Sequence, residues 1–222
     1  MFVGLIRQNQ WFIDRVNLFI SFAALARMDN IFGLPLIPYG NPLPYEILRR
    51  FNINRFPPID EYIRNSTSLT CQVLPFVCQL ALNPVAFYNP VNDNLPAGEA
   101  LQSRLPSPSS MMLMEHFAQI HQSGRFQDYD YGPQSNMARY GSETPPEFDL
   151  TQITGIPVAL LVQSLDNEGD RVDSEWLLQQ IDDIVVFNRT YQNYAHFDLY
   201  VAENTTDYLV DVVDLLEQFN QG

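Results

Sequence analysis

A chain of 222 residues that is 46% hydrophobic, 13% aromatic and 17% charged has the length for one or two domains and the composition of a packed core. Its formal net charge of −14, with a pI near 4.3, excludes a nucleic-acid-binding role, because that role needs clustered cations to displace counterions from a polyanion. All 12 basic residues are arginine, which also excludes a mechanism built on a lysine nucleophile or base.

Phe2 to Phe12 carries apolar residues at helical spacing, and Val16 to Ala26 follows as a short, almost wholly apolar run. The pair predicts a helix and then a buried strand, as in a parallel sheet covered on both faces. The best apolar run, Leu18 to Ala26, spans nine residues against the roughly 18 that a membrane-spanning helix requires, so no transmembrane segment is expected. The opening MFVGLIRQNQWFIDR has no basic leader, long apolar region or small-residue cleavage site, and is not read as a signal peptide.

From Phe32 to about Pro58 prolines and aromatics break up regular structure and begin an insertion that runs to about Leu150. Helices are predicted in it at Leu69 to Leu82 and Ser110 to Gln122, joined by a loop from Asn83 to Ser109 that is rich in Asn and Pro. Cys71 and Cys78 would lie about 10 Å apart on the first of these helices, too far for a disulfide, and read as two small buried apolar residues.

Gly155 to Leu165 is predicted as a second buried strand. Ser174 to Ile184 follows as a helix entered at Asp173, and Ile184 to Tyr191 as a third strand. Thr205 to Phe219 closes as a helix with Leu209, Val212, Val213, Leu216 and Phe219 along one face. This alternation of strand and helix is that of a doubly wound α/β sheet. Asn65, Asn188 and Asn204 each head an Asn-x-Ser/Thr sequon and are glycan acceptors if the chain passes through a secretory lumen.

In open α/β sheets the working residues sit in loops beyond the carboxyl ends of strands. Asp166 follows one predicted strand and His196 the next, the chain order of acid and histidine in a Ser-Asp-His triad. A hydroxyl becomes a nucleophile when an imidazole takes its proton, and a carboxylate fixes that imidazole's tautomer. Spacing alone leaves the alternative open, since Asp is also a common turn residue and a lone His a common packing residue. Asp170, Asp173 and Asp198 read as capping or solvated carboxylates, and His116 and His121 as packing or surface residues on a helix. Asp166, Asp170 and Asp173 lack the Gly and terminal Glu of a calcium loop, so no metal is expected, and no cofactor.

Several segments resemble the gastric and lysosomal acid lipases and their insect relatives. HFAQIHQSGRFQDYDYG (116–132) is similar to that family's helix followed by Ser-Gly-Lys/Arg-Phe-Gln, an aromatic, Asp, an aromatic and Gly. NMARYGSETPPEFDLTQI (136–153) is similar to its Asn-x-x-x-Tyr to Pro-Pro to Leu-Thr stretch. IPVALLVQSLDNEGD (156–170) resembles its acid-bearing strand and loop, and YAHFDLYVAEN (194–204) its Tyr-Asn-His-Leu-Asp-Phe. The resemblance implies an α/β fold, the C-terminal half of an α/β-hydrolase: 1–31 ends the first half of the core, 32–150 is a mainly helical lid, and 151–222 carries the acid and histidine loops. It places the triad acid on Asp166 and the triad histidine on His196. It implies hydrolysis of neutral-lipid esters, triacylglycerols or sterol esters, in a secreted or lysosomal protein.

The departures from the family are as specific. Gly-x-Ser-x-Gly, the nucleophile elbow, occurs nowhere in the 222 residues. MFVGLIRQNQWFIDRVNLF resembles the helix that follows the elbow, so the serine and the oxyanion-hole donors are expected upstream or on a partner chain. Ser164, on the acid's own loop, cannot occupy the elbow. Ser21-Phe22-Ala23-Ala24 stands where the family has Ala-Leu-Ala-Pro, and Gln163-Ser164-Leu165 where it has Gly-Gly-Asn. The first cysteine of the family's lid is also missing, which removes its lid disulfide. Two other readings therefore stand beside the lipase: a lipase-like protein that binds without catalysis, and a fragment that starts at an internal methionine.

Overall fold

The computed structural model describes residues 1–32, 40–56 and 109–220, with Val73 and Ala97. The helix predicted at Leu69 to Leu82, both cysteines, most of the following loop and the Asn65 sequon lie outside the described residues.

The chain opens with two short helices, α1 (Phe2–Arg7) and α2 (Asn9–Ile13), where one was predicted. Gln8 leaves helical geometry at φ −135° and ψ 40°, and the bend returns the Phe12 ring to within 3.3 Å of where a Cβ on Gly4 would lie. A straight helix would hold those two positions about 12 Å apart along its axis.

Strand β1 (Phe19–Phe22) is shorter than the predicted Val16 to Ala26, and it is half-buried where full burial was expected. It has one strand neighbour among the described residues, which covers less of it than two would. The chain leaves it at Ala23, whose φ of 48° is left-handed and costs a residue with a Cβ about 1–2 kcal/mol.

Helix α3 (Leu43–Arg50) leads to the two-residue strands β2 (Arg55–Phe56) and β3 (Ser109–Ser110), which pair antiparallel. Helix α4 (Met111–Ser123) ends on Gly124 at φ 62°, a left-handed cap that glycine adopts without strain. Tyr45, Met111, Met114 and Ala118 join α3 to α4 in one apolar cluster. Met28, Ile31 and Ile120 join α4 to the loop after β1, and His121 Nδ1 donates to Met28 O at 2.5 Å. Helix α5 (Pro133–Tyr140) is tied to the preceding loop through Asn136 Nδ2, which donates to Asp130 Oδ1.

Strand β4 (Val158–Gln163) is buried at all six positions, the condition of a strand covered on both faces. Helix α6 (Arg171–Gln180) connects it to β5 (Val185–Tyr191), and helices α7 (Asp198–Val201) and α8 (Thr206–Phe219) complete the chain. The sheet order is β1-β4-β5, all parallel. Side chains alternate along β4: Val158 and Leu160 meet Phe2, Leu5 and Leu177 on one face, while Ala159 and Leu161 meet Tyr191, Tyr208 and Leu215 on the other. Helices α1 and α6 thus cover one face and α8 the other, the doubly wound arrangement that the alternation of strand and helix predicts.

Two helix readings change. Helix α6 starts three residues before the predicted Ser174 and is capped by Asp170, which accepts from Val172 N at 2.7 Å; Asp173 lies inside its first turn. The face of α8 against the sheet is Tyr208, Val212, Leu215 and Phe219, whereas Leu209, Val213 and Leu216 stay exposed, because Tyr208 reaches the sheet and sets the helix's rotation. No helix among the described residues is long and apolar enough to cross a membrane.

Candidate active site

Strands β4 and β5 end side by side, with Gln163 opposite Tyr191, so their following loops leave the same edge of the sheet. Three hydrogen bonds stitch those loops together: Ser164 N to Tyr191 O at 3.0 Å, Leu165 N to Tyr194 O at 2.9 Å, and Asn193 N to Ser164 Oγ at 2.9 Å. Asn193 has φ 64°, a left-handed turn that Asn tolerates better than most residues. The Ser164 hydroxyl is an acceptor inside this turn.

The Asp166 side chain is fully buried, and its Oδ1 accepts from Glu168 N at 2.8 Å and Gly169 N at 2.7 Å. Across the loop junction, His196 Nδ1 lies 2.8 Å from Oδ2 and 3.0 Å from Oδ1. An ionised carboxylate only accepts, so Nδ1 carries the proton in this pair and Nε2 is the ring's basic nitrogen. Nε2 is not empty-handed: Glu168 Oε2 sits 3.6 Å away. Asp166 and His196, singled out by sequence order together with the family resemblance, are brought together. Glu168 was not foreseen, since nothing in the string DNEGD tells that the turn carries the second acid back to the ring.

The imidazole is under opposed influences. Burial, the largest, disfavours the imidazolium and lowers its pKa, but the hydrogen bond and charge of Asp166, with the charge of Glu168, outweigh it and raise the pKa above the ordinary 6.5. Burial likewise raises the Glu168 carboxyl, helped by the charge of Asp166 and opposed by His196.

The acid loop is held from below. A Cβ on Gly169 would lie 2.8 Å from both Ala23 Cβ and Asp166 Oδ2, so only glycine fits between the acid and the turn after β1. The first turn of α6 ties down the same turn: Asp173 accepts from Asn30 N at 2.9 Å and Asn30 Nδ2 at 2.8 Å, and Ser174 Oγ donates to Ala24 O at 3.1 Å. Asp198 is buried and accepts from Ala195 N at 2.9 Å, which sets the backbone beside His196. Asp166, Asp170 and Asp173 face separate partners and do not converge.

The signature around residues 116–132 is scaffold. Gln119 exchanges hydrogen bonds with the backbone of Asp130, His116 Nε2 donates to Gln127 O at 2.8 Å, and buried Asn136 donates to Asp130 Oδ1 at 2.7 Å. His116 and His121 are thus both committed to backbone carbonyls. Of the sequons within the described residues, Asn188 is exposed on β5, and Asn204 is exposed with Oδ1 accepting from Thr206 N at 3.1 Å where α8 begins.

No family profile matches the chain. Lipase member K of Homo sapiens is 29% identical over 148 residues, which are 66% of this chain and 37% of that protein. Gastric triacylglycerol lipase of Rattus norvegicus is 30% identical over 128 residues, 57% of this chain and 32% of that protein. Over those stretches the chain is similar to these lipases. The matched segment spans about a third of the length of the curated relatives. Its parallel sheet, wound with helices on both faces, is a doubly wound α/β sheet. An alpha/beta hydrolase fold protein from Nakamurella multipartita overlays 95% of this chain and 64% of that one at 16% identity and a TM-score of 0.37, a likeness too loose to bear on the fold.

Proposed function

We propose that this chain is the acid-and-histidine half of a lipase that hydrolyses neutral-lipid esters, triacylglycerols or sterol esters. The observation that carries the reading is the contact of His196 Nδ1 with buried Asp166 at 2.8 Å, made by loops at the ends of adjacent parallel strands. In the proposed mechanism a serine outside these 222 residues attacks the ester carbonyl while His196 Nε2 takes its proton. The same imidazolium then returns the proton to the departing alkoxide, and Asp166 holds the ring's tautomer and offsets its charge. Water repeats the sequence on the acyl-serine. No step calls for a cofactor.

Residues 1–31 and 151–222 are the core of this proposal and 32–150 its lid, and the missing sheet strands and oxyanion hole come from upstream sequence or a second chain. The name gastric triacylglycerol lipase supports the triacylglycerol substrate, while a secreted or lysosomal setting rests on the family resemblance, and there Asn65, Asn188 and Asn204 would carry glycans.

The test begins at the transcript, read in frame upstream of Met1 for Gly-x-Ser-x-Gly. The protein carrying that serine should release fatty acid from emulsified triacylglycerol or sterol ester, with kcat lowered about 10⁴-fold in Asp166→Asn and about 10⁶-fold in His196→Ala. Undiminished turnover in His196→Ala would overturn the mechanism. A stop codon directly before Met1 would leave a lipase-derived protein that cannot hydrolyse esters unaided, and the serine would then have to come from a partner chain.

A further inference from the structure

We propose that Glu168 is a positioning residue of the site, a second carboxylate that screens the working nitrogen of His196 and must clear it before the ring can take a proton there. This rests on the reading of His196 as the general base. Two acids from one turn grip the imidazole at its two nitrogens: Asp166 Oδ2 at 2.8 Å from Nδ1, Glu168 Oε2 at 3.6 Å from Nε2. They are geometrically linked, because the Glu168 backbone N–H donates to Asp166 Oδ1 at 2.8 Å and so fixes where the glutamate side chain begins.

Among the described residues these two are the charged groups that face the ring. Asp198, the acid on His196's own segment, uses Oδ2 on Ala195 N–H. Two anions favour the imidazolium over the neutral ring, and the imidazolium has no lone pair left to receive a proton. A serine hydroxyl approaching Nε2 would need the space that Oε2 now takes. Asp166 is fully buried and cannot yield, whereas the Glu168 side chain is 20% exposed and has solvent to turn into. Its release is therefore a rotation outward, because acid that protonates the Glu168 carboxyl keeps the ring protonated as well.

At low ionic strength, where self-association is weakest, the 222-residue chain serves for the test, with ring-nitrogen-labelled histidine followed by NMR across pH and with diethyl pyrocarbonate, which acylates neutral, reachable imidazole. Glu168→Gln should move the His196 titration downward and speed its acylation, leaving the Nδ1 contact with Asp166 in place. A titration and an acylation rate unchanged from the wild type would overturn the proposal. If Glu168→Gln does not fold, the wild-type Glu168 carboxyl resonance decides: it should carry an inflection at the pH where His196 titrates, and a single independent step would overturn the proposal. In the serine-bearing protein, Glu168→Gln should shift the acid limb of kcat/KM to lower pH, because the ring becomes neutral earlier. Loss of turnover in His196→Ala without any effect of Glu168→Gln would sink the screening role alone. A Glu168→Gln effect on the ring with no loss in His196→Ala would sink the base role alone.

Discussion

At the scale of single residues, the acid loop is governed by one missing methyl group. Gly169 donates its N–H to Asp166 while Ala23, itself strained at φ 48°, closes the space where a Cβ would go. The two conditions are one: the donor can approach the carboxylate because nothing stands between that stretch and the turn after β1. Gly169→Ala puts a carbon 2.8 Å from Asp166 Oδ2 and from Ala23 Cβ, and 3.2 Å from Ala23 Cα, with backbone and a buried acid as the neighbours that must give. Overpacking of this kind costs about 1–3 kcal/mol. Denaturant melts should show that loss, and the His196 titration should move down as Asp166 is pushed off Nδ1. A variant as stable as the wild type, with an unmoved histidine, would mean that the loop has slack that this geometry denies. Asp166 and His196 were legible because strand, acid, strand, histidine is a linear order, and because the family resemblance marks the same two positions where order alone left the alternative open. Gly169 and Glu168 were not, because their roles depend on how a five-residue turn closes and on what β1 sends into it.

At the scale of elements, the sheet was readable and the helix ends less so. The six apolar-rich positions of β4 name a strand buried on both faces whatever else the chain does, and β5 and α8 follow from the same periodicity. Helix α6 was entered in the wrong place because Asp170 and Asp173 are both acids suited to a cap, and sequence alone does not say which one looks inward. Asp173 looks inward, and its two hydrogen bonds to Asn30 clamp the loop after β1 against α6. Its replacement by alanine leaves the backbone N–H and the amide of Asn30 without their charged acceptor, at about 1.5–3 kcal/mol for such bonds. Limited proteolysis should then cut Asp173→Ala faster within residues 24–32 than elsewhere. Equal cutting along the chain would assign the loss to general destabilisation instead. The exposed stripe on α8 was misread for a related reason. Two apolar faces are available, and the aromatic reach of Tyr208 toward Tyr191 and Tyr194 selects one of them.

At the scale of the whole molecule, three parallel strands make a small sheet, and its two outer strands are half-covered. Strand β1 offers the backbone of one edge without a strand neighbour among the described residues, and Phe22 at its end is 37% exposed. On α8, Leu209, Val213 and Leu216 are each more than 40% exposed and recur at helical spacing, so they form a stripe. An open strand edge together with an apolar stripe favours association, because each copy can pair its edge and bury its stripe against another. The net charge of −14 opposes contact at long range, but salt screens it within about 10 Å at 0.1 M, shorter than the separation at which most of those charges would act. The 222-residue chain expressed alone is therefore expected to self-associate, and to do so more strongly as salt is raised. Light scattering coupled to size exclusion at low and high ionic strength reads this directly. Leu209→Glu with Val213→Lys should shrink the assemblies if the stripe drives them and leave them unchanged if the β1 edge does. A monodisperse monomer that melts cooperatively at high salt would show instead that the chain closes its own surfaces.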